Sequence, residues 1–174
     1  MTGVLSLVWR LGVIGLGALL IGGMGAAPPE RLPKACEVLQ ALPGDVVAGQ
    51  GLTFQTVQDH AGKTVLMSMC TALGEDDLPV ITLLLRQDIA ATAPQTALVA
   101  REAMIAELTG TFGHDPAAVF PQIGEAAMWV AEIGQLTVWY RAGRVMFIVT
   151  TTGGPGSPKE RAEQAAQAIV ARFP

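Results

Sequence analysis

Beyond residue 33 the apolar positions fall into two periodicities. Three stretches repeat at helical spacing. Lys34 to Leu42 carries Cys36, Leu39 and Ala41 or Leu42 and is stopped by Pro43-Gly44-Asp45; Pro94 to Leu108 carries Ala97, Met104, Ile105 and Leu108, with Gly110 as its expected stop. A third follows Ser157 with Ala162, Ala165, Ala166, Ile169 and Phe173 inward. Its start is the sharpest local signal in the chain, because Ser157-Pro158-Lys159-Glu160 combines an N-cap serine, a proline at the first helical position and a glutamate at the third.

The remaining apolar runs alternate as strands do. Gly51 to Gln58, Thr64 to Ala72 and Val80 to Arg86 come first, with Asp59 to Lys63 read as the turn between the first two. Thr64 to Ala72 puts Val65, Met67 and Met69 on one side and Leu66, Ser68 and Cys70 on the other. Val80 to Arg86 is apolar on both sides, which predicts an interior strand. After an expected loop at 111–124 in which Asp115-Pro116 can cap a short turn, residues 124–152 hold two of the three tryptophans and the only tyrosine. They divide into strands Ala127 to Glu132, Gln135 to Arg141 and Arg144 to Thr151, joined by Ile133-Gly134 and Ala142-Gly143, an antiparallel meander. Its last strand is apolar on both sides and is expected to lie deep. The order α-β-β-β-α-β-β-β-α predicts an α+β domain, a mainly antiparallel sheet with helices packed on it.

The N-terminus reads as an address. Arg10 is the only charge before a long apolar run that ends in small residues, the layout of a secretory signal peptide over 1–26, with a proline-rich lead at 27–33 and a single domain at 34–174. The alternative is an uncleaved anchor, the one route by which this chain would be tied to a membrane. The expected location is periplasmic or secreted.

Charge then removes one class of partner. Ten basic side chains against 15 acidic ones remain beyond residue 28, with three lysines in all and no basic cluster, which excludes nucleic acid. In an exported domain Cys36, on the first helix, and Cys70, on a strand, are best read as one disulfide, against two buried thiols or a redox pair without a CxxC motif.

Candidate chemistry is sparse. Beyond the signal the serines are Ser68 and Ser157, neither in a G-x-S-x-G setting. His60 and His114 each adjoin an aspartate, Asp59 and Asp115; they are polar loop residues or, on the alternative reading, an enzyme site assembled by the fold. Glu75-Asp76-Asp77 lacks the ligand spacing of a calcium loop. The Gly-Pro-rich stretch before Ser157 loses amide donors at Pro155 and Pro158, so it is read as turn and cap rather than a phosphate cradle. No catalytic residue, metal ligand set or cofactor motif emerges. Trp129, Trp139 and Arg141 are the candidates for ligand or partner binding, against a core role for the tryptophans.

Ala35-Cys36-Glu37-Val38-Leu39, Cys70, the run Gln122-Ile123-Gly124-Glu125-Ala126-Ala127-Met128-Trp129 and the final strand and helix together resemble the PsbP-like α/β/α sandwich of small exported bacterial proteins and lipoproteins. The chain departs from the lipoprotein members in having no lipidation cysteine after its apolar run. The resemblance implies non-enzymatic accessory or binding work at the cell envelope, with an envelope protein or small ligand as partner, and transfers no catalytic residue.

Overall fold

Alternating side chains make a hairpin ladder wherever one face can be buried, and the first half of the domain is such a ladder. The computed structural model describes residues 32–47, 51–152 and 156–172; the expected signal segment and most of the proline-rich lead lie outside them. The chain divides into two units at Glu30/Arg31, and every described element belongs to the second. Helix α1 (Ala35–Gln40) precedes strands β1 (Thr53–Ala61), β2 (Val65–Leu73) and β3 (Pro79–Asp88). Helix α2 (Ala97–Phe112) leads to β4 (Ala118–Val119), β5 (Ala126–Val130), a 3-10 turn at Ala131–Ile133, β6 (Gln135–Tyr140), β7 (Val145–Thr151) and α3 (Pro158–Arg172).

The strands form one antiparallel seven-stranded sheet in the order β1-β2-β3-β7-β6-β5-β4. Two meanders meet where β7 pairs with β3. The two strands predicted to lie deepest, β3 and β7, are therefore neighbours inside the sheet. The fold is the α+β arrangement that the sequence predicts, with the two-residue β4 added in the stretch read as loop.

The two sides of the sheet are covered unequally. On one, Cys70, Leu83, Val149, Leu136 and Trp129 face each other across five strands, and α1 and α3 close over them with Ala35, Val38, Leu39, Ala162, Ala165, Ala166 and Ile169. The other side holds a smaller core of Ala126, Met128, Val130, Trp139 and Met146 beneath Ala97 and Ala100 of α2. Helix α2 rests mainly on β5 and β6. Among the described residues no helix covers that side of β1, β2 and β3.

Several boundaries differ from the sequence reading for physical reasons. Strand β1 runs through Asp59 and His60 to Ala61, so the turn is shorter than predicted. A bulge at Val57 changes the strand's parity between Thr56 and Gln58, which hides its alternation. Helix α2 starts at Ala97, not Pro94, because the Thr96 hydroxyl accepts the Val99 amide at 3.2 Å. It passes through Gly110 and ends at Gly113, which has a φ of 76° as a left-handed cap requires. Strand β6 stops at Tyr140: Arg141 and Ala142 both have positive φ, 54° and 56°, and belong to the turn. The two carboxylate oxygens of Glu125 accept the Ala142 amide at 3.2 and 3.0 Å, and a Cβ on Gly143 would lie 2.5 Å from the Thr96 carbonyl.

Candidate functional site

The residues singled out from sequence are distributed rather than gathered. Trp129, 6% exposed, belongs to the core under α1 and α3, and Trp139, 2% exposed, to the core under α2. They face opposite sides of the sheet. Arg141 is exposed at the β6–β7 turn, so it does not share a strand face with Trp139; its guanidinium lies 5.9 Å from the centre of the Tyr140 ring.

Asp59 and His60 sit on β1 at one edge of the sheet. His114 follows α2 toward the other edge, stacked on Phe112 with its Nε2 3.9 Å from Glu132, just after β5. Asp115 adjoins it and is exposed. The fold thus separates the two His-Asp pairs. Among the described residues no three His, Cys, Asp or Glu side chains converge.

Cys36 and Cys70 form a disulfide between α1 and β2, with Cα atoms 5.0 Å apart. A polar chain runs beside it. The Ser68 hydroxyl accepts the Ala35 amide at 2.9 Å and donates to Asp59 at 2.6 Å, while Lys34 donates to the other Asp59 oxygen at 2.6 Å. The hydrogen bonds from Lys34 and then from Ser68 hold the Asp59 carboxyl below its ordinary value of 3.8. That makes it a poor base for Ser68, and His60 projects from the opposite face of β1. The arrangement fixes the first amide of α1 instead of activating a nucleophile. Sequence reading missed this clamp although the signal was there: Ser68 shares a strand face with Cys70, so a disulfide from Cys36 brings the helix start over it.

A lowered carboxylate value stabilises the fold above the unfolded value, and the contribution is lost as pH falls through the folded value. Lys34 and Asp59 are largely exposed, so the effect is small. Asp59→Asn is expected to be slightly less stable than wild type near pH 7, with the difference beginning to shrink only as pH falls below about 4. Urea midpoints for both proteins from pH 7 to pH 3 check this; a difference unchanged across the range would rule the clamp out.

The bare half of the sheet is where side chains stay accessible without disturbing a core. Met69, Leu84 and Ile148 lie directly opposite one another across β2, β3 and β7 and are half-buried. A polar row runs alongside through Gln55, Thr71, Thr82, Thr150 and Gln135, in which the Thr71 and Thr82 hydroxyls share a hydrogen bond at 3.0 Å. Where this strip reaches α2, a recess of about 120 Å³ opens between Met104 and Leu108 of the helix and Thr137 and Ile148 of the sheet. On the side of the sheet that carries α1, a separate cleft of about 400 Å³ at the β1 edge is lined by Lys34, Asp59, Leu66 and Ser68 among others. An apolar strip with a polar margin and a recess where it meets α2 suits a ligand or peptide that presents one apolar side.

Among the described residues no helix is long and apolar enough to cross a membrane. The chain was compared with family models, with curated proteins and with solved structures, and nothing matched in any of the three.

Proposed function

We propose that this chain is an exported accessory domain of the cell envelope, periplasmic or secreted, that binds a partner protein or small ligand on the bare half of its sheet and carries out no chemistry of its own. The observation that carries this reading is the half-buried strip of Met69, Leu84 and Ile148 beside α2. Surfaces of this kind gain most from association because they are already partly desolvated, and methionine adapts its shape to what it meets. The disulfide supports an oxidising compartment, in keeping with the signal-like N-terminus. The PsbP-like resemblance supports accessory work of the same sort.

The test is affinity capture from envelope extract with the disulfide-bonded wild type beside Leu84→Glu. Leu84 is half-buried, so a glutamate there can keep its carboxylate in water in the free protein, while a bound partner would have to bury its charge. Capture of any specific partner is expected to fall by about tenfold. Equal capture by the two proteins, with equal urea midpoints, would refute the assignment of the face.

A further inference from the structure

The β1–β2 hairpin brings one imidazole and two thioethers together on the bare side of the sheet. His60 lies directly opposite Met67, and Met69, two residues along β2 on the same face, lies opposite Gln58. Cross-strand partners have Cβ atoms about 5 Å apart, and residues two apart on a strand are separated by about 7 Å. Three side chains on such a triangle are long enough to converge on one ion above it.

His60 is exposed and both methionines are half-buried. The His60 ring has no hydrogen-bond partner among the described residues. Its Nε2 rests over Gly62, 2.5 Å from where a Cβ would stand, and an exposed side chain turns from such a position on a nanosecond timescale.

The donor chemistry is selective. Thioether sulfur is a soft ligand that Zn(II), Mg(II) and Ca(II) do not favour, and two thioethers with one imidazole match Cu(I). All three donors are neutral, so a monovalent ion leaves only one charge to be solvated at an open surface. Arg86 faces Met67 from β3, but its guanidinium donates to Asp88 at 2.9 and 3.1 Å. We propose that His60, Met67 and Met69 form a surface site for a soft monovalent metal ion, Cu(I). The site lies on the face assigned to binding and deepens that reading, and the two are tested apart.

The full disulfide-bonded protein is titrated with Ag(I), a soft surrogate that needs no reductant and so leaves Cys36–Cys70 intact. A second titration supplies Cu(I) from its bicinchoninate complex under ascorbate. Saturation at a single ion is expected, with shifts of the Met67 and Met69 methyl and His60 ring resonances. The double variant Met67→Leu/Met69→Leu keeps the side-chain volumes and the urea midpoint, and is expected to bind about 100-fold more weakly or worse; His60→Ala loses about tenfold. Wild type that binds no better than the double leucine variant, or methyl resonances that stay unmoved at saturation, would overturn the site. If metal binding fails while Leu84→Glu still abolishes partner capture, the metal site alone is rejected. Metal binding that survives when Leu84→Glu has no effect on capture upholds the site and rejects the partner face.

Discussion

Replacing Cys36 and Cys70 together with alanine is expected to destabilise the domain by about 4 kcal/mol. The bond joins residues 34 positions apart, and closing a loop of that length removes roughly that much chain entropy from the unfolded state. For a domain of this size that is a substantial share of the whole. The loss is concentrated locally as well. Helix α1 has six residues, far too few to persist on its own. It stays on the sheet through the disulfide, the Ala35 amide on Ser68, and the burial of Ala35, Val38 and Leu39, each at most 1% exposed. Without the bond, amides of α1 should exchange with solvent well ahead of those in β3 and β7. Denaturant unfolding of the oxidised wild type beside the double alanine variant, with amide exchange on both, measures the two effects. A loss under about 1 kcal/mol would show that the helix and its serine clamp hold without the covalent bond.

The bond between α1 and β2 was legible because it needed only two cysteines and the inference of export. The same holds for α3, whose start at Pro158 lies where serine, proline and glutamate put it, and for β3 and β7, whose two-sided apolarity follows from their interior places. What stayed hidden depends on pairing. The bulge at Val57 exists only with respect to β2. The two residues of β4 form a strand only because Val130 and Trp129 lie beside them. Arg141 alternates correctly with Tyr140 in sequence, yet the left-handed turn that takes it out of β6 is fixed by Glu125 and by the approach of Gly143 to Thr96.

The bare face was hidden for a different reason. Alternation along β2 separates Met67 and Met69 from Ser68 and Cys70 but carries no sign of which side a helix will take. The disulfide settles one side, since it draws α1 onto the face of Cys70. The second side depends on how far α2 reaches, and α2 is a poor guide because it carries apolar residues all round: Ala97 and Ala100 face the sheet while Leu98 and Val99 are more than half exposed. Over β5 and β6 it is held by the core around Trp139, and its first turn meets the β6–β7 hairpin where Gly143 approaches Thr96.

Trp139→Ala is expected to cost about 3–5 kcal/mol, the range for removing a large aromatic side chain from a closed core. Trp139 is 2% exposed and packs with Ala97 and Ala100 of α2, with Ala126 and Met146 as its partners on the flanking strands. Those neighbours are mostly small, so they cannot expand into the space an alanine leaves, and the cavity falls directly under the helix. Loss of α2 packing should then precede global unfolding, seen as early amide exchange along Ala97–Phe112 and a lowered urea midpoint. This bears on function as much as on stability. A tryptophan buried so completely contributes to binding only by holding α2 in place, so weaker partner capture by Trp139→Ala would report a displaced helix rather than a lost contact. Leu84→Glu separates the two, because it alters the bare face and leaves the α2 core untouched. If Trp139→Ala costs less than about 1 kcal/mol and still abolishes capture that Leu84→Glu leaves intact, the binding surface lies at α2 and β6 and not on β2 and β3.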